Sequence, residues 1–513
     1  MPKQGAVISL SVSHSLCAIH TLVTCSLIQT GKRQLASFGY PSGNPHITYN
    51  DMAAAAPHVM VLPFPAQGHV TPLMELSHRL VERGFQVTFV CTGLTHGLLL
   101  NALRRTGDGG SGDTVEGIRL VPVPDGMADG DDRRDLCKFL DAVWRRVPGF
   151  LEDLIRETEA SGAAKVKWLV ADVNMWFCFQ VAKNLGVRVA GVWPAAAACL
   201  GTSFAIPKMI QDGFIDEKGI PKRQGTYEVA PKMPPIYASH MPWSLDGPPD
   251  EEQAVFELMS GYAHSPILAE ITVCNSFLDA ETTAFELFPD IVPIGPLFAD
   301  QELRKPVGQF WPEDASCLEW LDARARSSVV YVAFGSLTTF NPRQFQELAE
   351  GLELTGRPFL WVVRPDFTSG GLSKAWFDEF QSRVAGNGMI VSWCPQQQVL
   401  AHPSVACFVS HCGWNSTTEG VRNGVPILCW PYFADQFANR SYICDIWMTG
   451  LAVAAGEDGV VTKEEVRSKL EQVIGDEGIG ERARVLRDAA RSSIVEGGSS
   501  YENFKKFIDL LME

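Results

Sequence analysis

The most informative segment of this chain runs from Trp393 to Gln436 and reads WCPQQQVLAHPSVACFVSHCGWNSTTEGVRNGVPILCWPYFADQ. Within it, Val405–Val409 is a short apolar run that predicts a buried strand. His411-Cys412-Gly413 predicts a tight turn, and Asn415 opens a helix. Exposed backbone N–H groups at a helix N-terminus after a glycine turn form an anion site. The segment therefore predicts a site for a diphosphate.

Other side chains of the same segment fit the remaining parts of a nucleotide sugar. Trp393 offers an aromatic face on which a base can stack, and Glu419 can accept hydrogen bonds from ribose hydroxyls. Asp435 and Gln436, at the start of the next helix, offer acceptors and a donor for a sugar. The alternative is two ordinary βα units with core tryptophans. Each residue taken alone favours that alternative, and their combination in one short segment argues against it.

Apolar runs and helical periodicity alternate through the rest of the chain. The predicted strands of the first half are His58–Phe64, Gln86–Cys91, Gly117–Pro122, Val166–Ala171 and Arg188–Trp193, and the predicted helices are Thr71–Arg83 and Asn174–Leu185. This alternation predicts an α/β fold with a doubly wound parallel sheet, whose ligands lie at the carboxyl ends of the strands. A second alternation from Ser327 to Ala454 predicts a second domain of the same kind and a cleft between the two.

The composition excludes several classes of protein. The chain has 513 residues, which at roughly 150 residues per domain predicts two or three domains. Its 43 basic and 59 acidic residues give a net charge of −16, which argues against nucleic acid or an anionic membrane surface as the main partner. The 13 cysteines are dispersed and form no C-x-x-C pair. We therefore expect neither a disulfide framework nor a zinc site. We expect the protein to lie in a reducing compartment.

The segment from Trp393 to Gln436 resembles the plant secondary product glycosyltransferase box of the plant UDP-glycosyltransferases, glycosyltransferase family 1. Pro63–His69, Tyr331–Ser336 and Gly497–Ser500 are also similar to segments of that family, and the similarity runs from about His58 to the end. The resemblance implies two facing Rossmann-like domains of the GT-B type with an inter-domain cleft. It also implies that the first domain binds the acceptor and the second the UDP-sugar.

The expected domain organisation combines the composition with this resemblance. Residues 1–51 form an extension that we expect to be dispensable, because Met52-Ala-Ala-Ala-Ala-Pro-His58 reads like a natural start; a signal, anchor or transit peptide is the alternative. The expected acceptor-binding domain is 52–299, the linker 300–312 and the UDP-sugar-binding domain 313–484, with helices in 485–513 packing back on the first domain. Residues 213–250 are rich in Pro and Gly and predict a functional surface insertion.

Roles in donor binding are carried over where residues match the family. Trp393 resembles the residue that stacks on uracil, and Glu419 the ribose-binding carboxylate. Cys394 stands where the family more usually has Ala, but the expected contact is through its backbone. A terminal Gln in this box favours glucose over galactose. The expected contacts are Trp393, Cys394, Gln396 and Glu419 for the nucleoside, Ser336, His411, Gly413, Asn415 and Ser416 for the diphosphate, and Trp414, Asp435 and Gln436 for the sugar.

The expected catalytic residues come from the first domain. His69 follows the first strand in a Pro/Gly loop, and Asp172 ends the Val166–Ala171 strand, so both lie at the same edge of one sheet. Imidazole is a suitable base for removing a hydroxyl proton at neutral pH, and a carboxylate can orient the ring and stabilise the imidazolium. The residues alone leave His69 as an ordinary loop histidine and Asp172 as a helix N-cap. The resemblance implies a His–Asp pair that drives inverting transfer.

Candidates for an apolar acceptor pocket near this pair are Trp176, Phe177, Phe179, Trp193 and Phe204, some of which must be core residues. Such a pocket suits flavonoids or phenylpropanoid alcohols. Hormones, terpenoids and carboxylic acids that form glucose esters remain alternatives. Two other classes are a UDP-sugar epimerase or hydrolase and a non-catalytic UDP-sugar sensor.

The resemblance implies that UDP-glucose is a co-substrate and that neither a metal ion nor a cofactor takes part. We expect a monomeric cytoplasmic protein with a small-molecule acceptor and no membrane partner. The sequon Asn415-Ser416-Thr417 lies in the expected diphosphate site, where a glycan would abolish binding, so a cytosolic location is the consistent interpretation.

Overall fold

Two mainly parallel β-sheets, each covered by helices, make up the described part of the chain. The computed structural model describes residues 57–106, 114–128, 130–133, 135–245, 248–297, 308–365, 367–368 and 373–513. The expected extension 1–51 and residues 300–307 of the expected linker lie outside these ranges. Within them, no helix is long and apolar enough to cross a membrane.

The first sheet has the strand order β10-β9-β6-β5-β1-β2-β4-β3. Every neighbouring pair is parallel except β3 with β4. Its strands are β1 His58–Leu62, β2 Gln86–Thr92, β3 Thr114–Val115, β4 Ile118–Val123, β5 Val166–Asp172, β6 Arg188–Trp193, β9 Ile271–Cys274 and β10 Ile291–Pro293. The pairing of β1 with β5 brings the ends of these two strands side by side.

The helices of the first half connect these strands. They are α1 Gln67–Glu82, α2 Gly93–Thr106, α3 Leu136–Ala160, α4 Phe179–Asn184, α5 Ala197–Gln211, α6 Pro249–Ser260, α7 Ser265–Leu268 and α8 Thr282–Leu287, with short 3-10 helices at Val173–Cys178 and Gly261–His264. The predicted insertion 213–250 holds an antiparallel hairpin of β7 Thr226–Tyr227 and β8 Ile236–Tyr237.

The second sheet has the order β13-β12-β11-β14-β15-β16, and all its neighbours are parallel. Its strands are β11 Val329–Ala333, β12 Phe359–Val362, β13 Gly388–Val391, β14 Val405–Ser410, β15 Ile427–Cys429 and β16 Gly450–Ala452. The helices are α9 Ser316–Asp322, α10 Pro342–Leu354, α11 Lys374–Val384, α12 Gln396–Ala401, α13 Trp414–Asn423, α14 Gln436–Ser441, α15 Lys463–Gly475, α16 Glu477–Ile494 and α17 Ser499–Met512, with a π-helical turn at Tyr442–Ile446. The predicted α/β class with two parallel sheets is confirmed.

Apolar strands buried on both faces explain why each sheet is covered by helices on both sides. All five residues of β1 are buried, with Val59 and Val61 facing α1 and Met60 and Leu62 facing α3. The C-terminal helix α17 packs on the α1 side of this sheet through Phe507 and neighbouring apolar residues. The last helix of the chain therefore lies on the first sheet.

The start of α1 differs from the sequence-based prediction. The sequence predicts a loop through His69 and a helix from Thr71, but α1 begins at Gln67, so His69 lies in its first turn. The helix runs through Pro72, although a proline inside a helix removes a backbone donor. The predicted helix 174–185 is likewise divided into the 3-10 helix Val173–Cys178 and α4.

Candidate active site

A cavity of about 290 Å³ lies between the carboxyl ends of the two sheets. Its lining from the first half includes His69, which follows β1, and Pro194 and Ala195, which follow β6. All twelve residues predicted to contact the donor line the same cavity: Ser336, Trp393, Cys394, Gln396, His411, Gly413, Trp414, Asn415, Ser416, Glu419, Asp435 and Gln436. The fold thus brings the two predicted sets together.

The His69 and Asp172 side chains are in direct contact. His69 Nδ1 lies 2.7 Å from Asp172 Oδ2. The Asp172 side chain is fully buried, whereas that of His69 is 27% exposed. With Nδ1 occupied by the carboxylate, Nε2 is the ring nitrogen left for another group, as in the base–orienter pairs of hydrolase triads.

Asp172 also caps the 3-10 helix that follows β5. Its Oδ1 accepts hydrogen bonds from the backbone N–H and the side-chain amide of Asn174, both at 2.8 Å. The Tyr262 hydroxyl in turn donates to Asn174 Oδ1. One oxygen of Asp172 therefore caps a helix while the other contacts His69, and its catalytic role stays a prediction.

On the nucleoside side of the cavity, polar side chains are already paired with one another. Gln396 Nε2 donates to Glu419 Oε2 at 2.6 Å and to Ser416 Oγ at 2.9 Å. The Tyr331 hydroxyl donates to Gln396 Oε1 at 2.9 Å. Burial raises the pKa of Glu419 to about 7, against the hydrogen bonds from its glutamine neighbours, and nearby Glu313 raises it further. Hydrogen bonds donated by hydroxyl groups would therefore stabilise the ionised form of this carboxyl group.

The predicted diphosphate contacts surround the turn after β14. The His411 ring packs between two glycines, since a Cβ on Gly335 would lie 2.6 Å and one on Gly413 2.5 Å from His411 Nε2. Burial, followed by the charge of Arg364, lowers the pKa of His411 to about 4, so this ring is neutral. The Arg364 guanidinium donates to the Gly335 carbonyl and, at 2.8 Å, to that of Thr338, and so holds the loop that carries Ser336.

On the sugar side, Gln436 and Asp435 are fixed by their neighbours. Gln436 Oε1 accepts from the backbone N–H groups of Tyr432 and Phe433, which leaves its Nε2 as a donor. Asp435 Oδ2 accepts from Asn439 Nδ2 at 2.9 Å. Burial raises the pKa of Asp435, while the bond from Asn439 and the nearby His69 oppose that rise.

The Trp414 indole is hydrogen-bonded to the first half of the chain. Its indole N–H donates to the Asn275 carbonyl at 2.7 Å, and the indole N–H of Trp447 donates to the Ala280 carbonyl at 2.9 Å. Because the indole donor of Trp414 is used in this way, a sugar contact of this residue falls to its backbone N–H. The two indole bonds tie the second sheet's helices to the segment that follows β9.

A direct hydrogen bond crosses the cavity next to His69. Asn415 Nδ2 donates to the Gly68 carbonyl at 2.8 Å. Two further contacts hold the start of α1 from the segment before α9: Gln67 Nε2 donates to Gln309 Oε1 at 2.7 Å, and the Thr71 hydroxyl donates to the Gly308 carbonyl at 3.2 Å. The first turn of α1 is therefore held from two directions.

The five aromatic candidates for the acceptor pocket lie in different places, and one of them, Phe179, is fully buried in the core. Trp176 and Phe177 lie in the 3-10 helix directly after Asp172, where Trp176 stacks on His264 and Phe177 on Trp144. Trp193 is 4% exposed and packs in the core. Phe204 lines a separate cavity of about 720 Å³. Trp176 and Phe177 lie in the helical turn that directly follows Asp172, and the acceptor role of all five stays a prediction.

Several residues of the cavity were not predicted from the sequence. Phe64 lies beside the cavity rather than in its lining, with its ring centroid 5.2 Å from that of His69. The unpredicted lining residues include Gln67, Gln309, Glu313, Tyr331, Leu337, Thr338, Phe433 and Ala434. Their positions in the sequence could have indicated them, because most of these residues follow a predicted strand or lie next to a predicted contact. Arg364 lies just beyond the apolar strand β12, a place where a buried cation is unexpected.

The insertion 213–250 contacts the segment that follows Gln436. The His240 ring centroid lies 4.0 Å from that of Phe437, the residue after Gln436. Burial, followed by the charge of Arg440, lowers the pKa of His240, so a neutral ring packs here. This contact puts the insertion against the helix that begins with the predicted sugar contacts.

The comparisons with known proteins agree with this arrangement. A family model described as UDP-glucoronosyl and UDP-glucosyl transferase matches residues 288–489. UDP-glycosyltransferase 83A1 of Arabidopsis thaliana is 38% identical to this chain, over 88% of the chain and 96% of the relative. The chain belongs to this family. It is accordingly a glycosyltransferase enzyme of the UDP-glycosyltransferase type.

Two further relatives extend the comparison. 7-Deoxyloganetin glucosyltransferase of Gardenia jasminoides is 32% identical over 89% of this chain and 98% of that protein. A UDP-glucosyltransferase from Polygonum tinctorium, capable of glucosylating indoxyl, superposes with a TM-score of 0.75 at 27% identity, over 90% of this chain and all of that one. The predicted GT-B architecture is thereby confirmed. Among the described residues of this chain, there is no group of three or more His, Cys, Asp or Glu side chains that could hold a metal ion.

Proposed function

We propose that this enzyme transfers glucose from UDP-glucose to a hydroxyl group of a small lipophilic plant metabolite, with inversion at the anomeric carbon. The observation that carries the proposal is the His69–Asp172 pair opening into the cavity that all twelve predicted donor contacts line. A base on one wall and a nucleotide-sugar site on the other are what direct displacement requires.

In the proposed step, His69 Nε2 takes the proton of the acceptor hydroxyl as its oxygen attacks the anomeric carbon. The bond from that carbon to the diphosphate breaks, and UDP leaves with the electron pair. Asp172 stabilises the imidazolium and holds the ring so that Nε2 faces the acceptor. The imidazolium then returns its proton to solvent. One displacement on the face opposite the leaving group gives the inverted configuration.

The charge that develops on UDP needs compensation from the second half of the chain. The N-terminus of the ten-residue helix α13 lies at the cavity through Asn415 and Ser416, and its backbone N–H groups favour an anion. The Ser336 hydroxyl and the neutral His411 ring add donors on the other side. We assign the uracil to Trp393, the ribose to Glu419 and the glucose hydroxyls to Asp435 and Gln436.

For the acceptor we propose a flavonoid or phenylpropanoid. The wall beside His69 is aromatic: Phe64 contacts the His69 ring, Phe139 packs edge-on against Phe64, and Trp144 stacks on Phe177. Flat aromatic acceptors suit such a wall. The capacity of the Polygonum tinctorium enzyme to glucosylate indoxyl supports this class. A terpenoid alcohol is the second candidate, favoured by the name of the Gardenia jasminoides relative.

A panel of flavonoids, phenylpropanoid alcohols and iridoid or terpenoid alcohols, each incubated with UDP-glucose and analysed by mass spectrometry, tests this function. We expect products heavier than the acceptor by one hexose, with a β-linked glucose by NMR. UDP-glucose that is hydrolysed or epimerised at the same rate with and without acceptor would contradict the proposal. Binding of UDP-glucose without any turnover would indicate a sensor instead.

We also propose a cytoplasmic location. Asn415 of the sequon Asn415-Ser416-Thr417 lines the cavity, and Asn439 of the sequon Asn439-Arg440-Ser441 is fully buried, so neither is open to a glycan in the folded chain. The cysteines among the described residues are free thiols, which suits a reducing compartment. Cell fractionation of a tagged full-length chain checks this location.

A further inference from the structure

The carbonyl group of Gly68 lacks its helical partner because of the residue one turn later. In an α-helix the carbonyl of residue i accepts from the N–H of residue i+4. For Gly68 that position is Pro72, which lies inside α1 and has no backbone N–H. A proline ring also crowds the carbonyl four residues before it and tilts that group away from the helix axis. The carbonyl next to His69 is thereby directed outward.

The donor side of the cleft supplies the missing hydrogen bond. Asn415 Nδ2 donates to this carbonyl at 2.8 Å. Asn415 is the second residue of α13, at the helix terminus to which we assigned the diphosphate. A side-chain amide carries two N–H groups, so one can bond Gly68 while the other is directed to a phosphate oxygen. A single amide thus joins the diphosphate site to the turn that carries His69.

Other contacts at the start of α1 do not make this connection. Gln309 and Gly308, which bond Gln67 and Thr71, belong to the segment before α9 and approach from the linker side. They hold the start of the helix without involving any of the predicted diphosphate residues. Asn415 is the contact that comes from the predicted diphosphate residues.

We propose that Pro72 is a positioning residue for the transfer reaction: by leaving the Gly68 carbonyl open, it allows Asn415 to hold the His69 turn against the donor site. This inference rests on the proposed function. The inference predicts that a substitution of Pro72 that restores the ordinary helical hydrogen bond lowers kcat. The same substitution removes a residue that is unfavourable inside a helix.

The test is Pro72→Ala, with Pro148→Ala as the matched control. Pro148 also lies inside a helix, α3, and does not line the cavity. In Pro72→Ala the new N–H at position 72 competes with Asn415 for the Gly68 carbonyl. We expect kcat to fall about three- to tenfold, the effect of weakening one hydrogen bond. The Kd for UDP should stay within about twofold, because only one of several donor-side contacts is altered. Pro148→Ala should leave both constants unchanged.

Two readouts separate positioning from a general structural effect. The kcat deficit of Pro72→Ala should shrink with a strongly acidic phenol, because such an acceptor ionises with less help from His69. In an Asn415→Ala background, the further change Pro72→Ala should have no effect on kcat, since the bond that it diverts is already absent. Pro72→Val, which also restores the N–H, is the second variant if Pro72→Ala fails to fold, as judged by its melting temperature.

A third readout does not depend on sugar transfer. In the wild type, UDP should slow hydrogen–deuterium exchange of the peptide that covers Gln67 to Thr71, and in Pro72→Ala this slowing should be largely lost. Folded variants with wild-type kcat and wild-type UDP protection would overturn the inference while leaving the proposed function intact. A wild-type enzyme that binds UDP but transfers no glucose would overturn the proposed function, and the exchange measurement would still decide on Pro72.

Discussion

The predicted donor side of the cleft is lined by polar side chains that are paired with one another, whereas aromatic rings pack around the ionisable His69–Asp172 pair on the opposite side. Gln396 bonds both Glu419 and Ser416 on the donor side. On the opposite side, the Phe64 ring lies against His69, and His69 Nδ1 contacts the Asp172 carboxylate. The same doubly wound architecture thus carries two different surfaces.

The two sides should therefore respond differently when a residue is substituted. A site with many directional contacts holds one ligand through the sum of modest terms, so the loss of any one of them weakens binding by a limited factor. A site with one reactive pair loses its chemistry when that pair is broken. We therefore expect graded effects on the donor side and a large effect at His69.

The largest effect should follow from removing the base. His69→Ala should lower kcat by about two to four orders of magnitude, the usual contribution of a positioned general base. The Kd for UDP, measured by calorimetry, should be nearly unchanged, because the nucleotide contacts lie in the other half. Asp172→Ala should act in the same direction, and the double variant should lose less than the product of the two factors. A multiplicative double variant would show that the residues act independently.

The next effect concerns Glu419 and is set by pH. Its pKa of about 7 exceeds the ordinary value, so between pH 4.5 and 7 the folded chain binds more protons than the unfolded chain. This residue therefore lowers the stability of the free enzyme as pH rises through that range. Ribose hydroxyls favour the ionised form, so affinity for UDP-glucose should rise about tenfold from pH 6 to pH 8. UDP-glucose is the suitable ligand because it carries no terminal phosphate that titrates near pH 6.

Two variants check the pH effect. Glu419→Gln should bind UDP-glucose more weakly at pH 8 and with little dependence on pH. Asp435→Asn is the control, because Asp435 also has a raised pKa and its loss should leave the slope largely in place. A flat affinity profile in the wild type, measured by calorimetry, would refute the assignment of the ribose to Glu419.

A comparable effect is expected for sugar choice. Gln436 Nε2 is left as a donor by the bonds that its Oε1 accepts, and an epimer that mispairs with it loses roughly 1–3 kcal/mol, about one to two decades in kcat/KM. UDP-glucose should therefore exceed UDP-galactose and UDP-glucuronate in kcat/KM. Gln436→His should narrow the gap between glucose and galactose. A wild-type preference for galactose in a competition assay would contradict the assignment.

The smallest effect should come from Arg364, which acts on the diphosphate through the loop that carries Ser336. Arg364→Met should weaken UDP about three- to tenfold, because the loop loses the bonds to two of its carbonyls. Uridine affinity should be unchanged. Arg383→Met, which breaks the half-exposed pair with Glu353, is the control. Equal losses for uridine and UDP would indicate a general disturbance of the domain.

What the sequence predicts about this enzyme depends on how far apart its parts lie along the chain. The clustering of the predicted donor residues from Trp393 to Gln436 follows from the sequence because they lie in consecutive βα units, where each strand end places its loop at the same edge of the sheet. His69 and Asp172 are predictable as a pair because both follow strands of one sheet. The distant pairing of Asn415 with Gly68 and the turn of Trp414 toward Asn275 depend on how the two sheets meet, which no local pattern encodes.

The start of α1 and the acceptor wall show a second limit. Helix α1 begins before the predicted Thr71 and continues through Pro72, whose cost inside a helix is offset by packing of Val70, Leu73 and Leu76 in the core. The sequence does not distinguish whether an aromatic residue such as Trp193 or Phe204 lies in the core or in a pocket, because both environments favour apolar side chains. Their environment emerges only from the tertiary packing.

The role of His69 as base is tested most directly by transfer rates to phenols of graded acidity at saturating UDP-glucose. The account predicts that His69→Ala loses most with weakly acidic phenols and that its deficit shrinks steadily as the acceptor becomes more acidic, because an acidic phenol releases its proton unaided. The same loss for every phenol, or no loss with the least acidic ones, would contradict the assignment of His69 as the base.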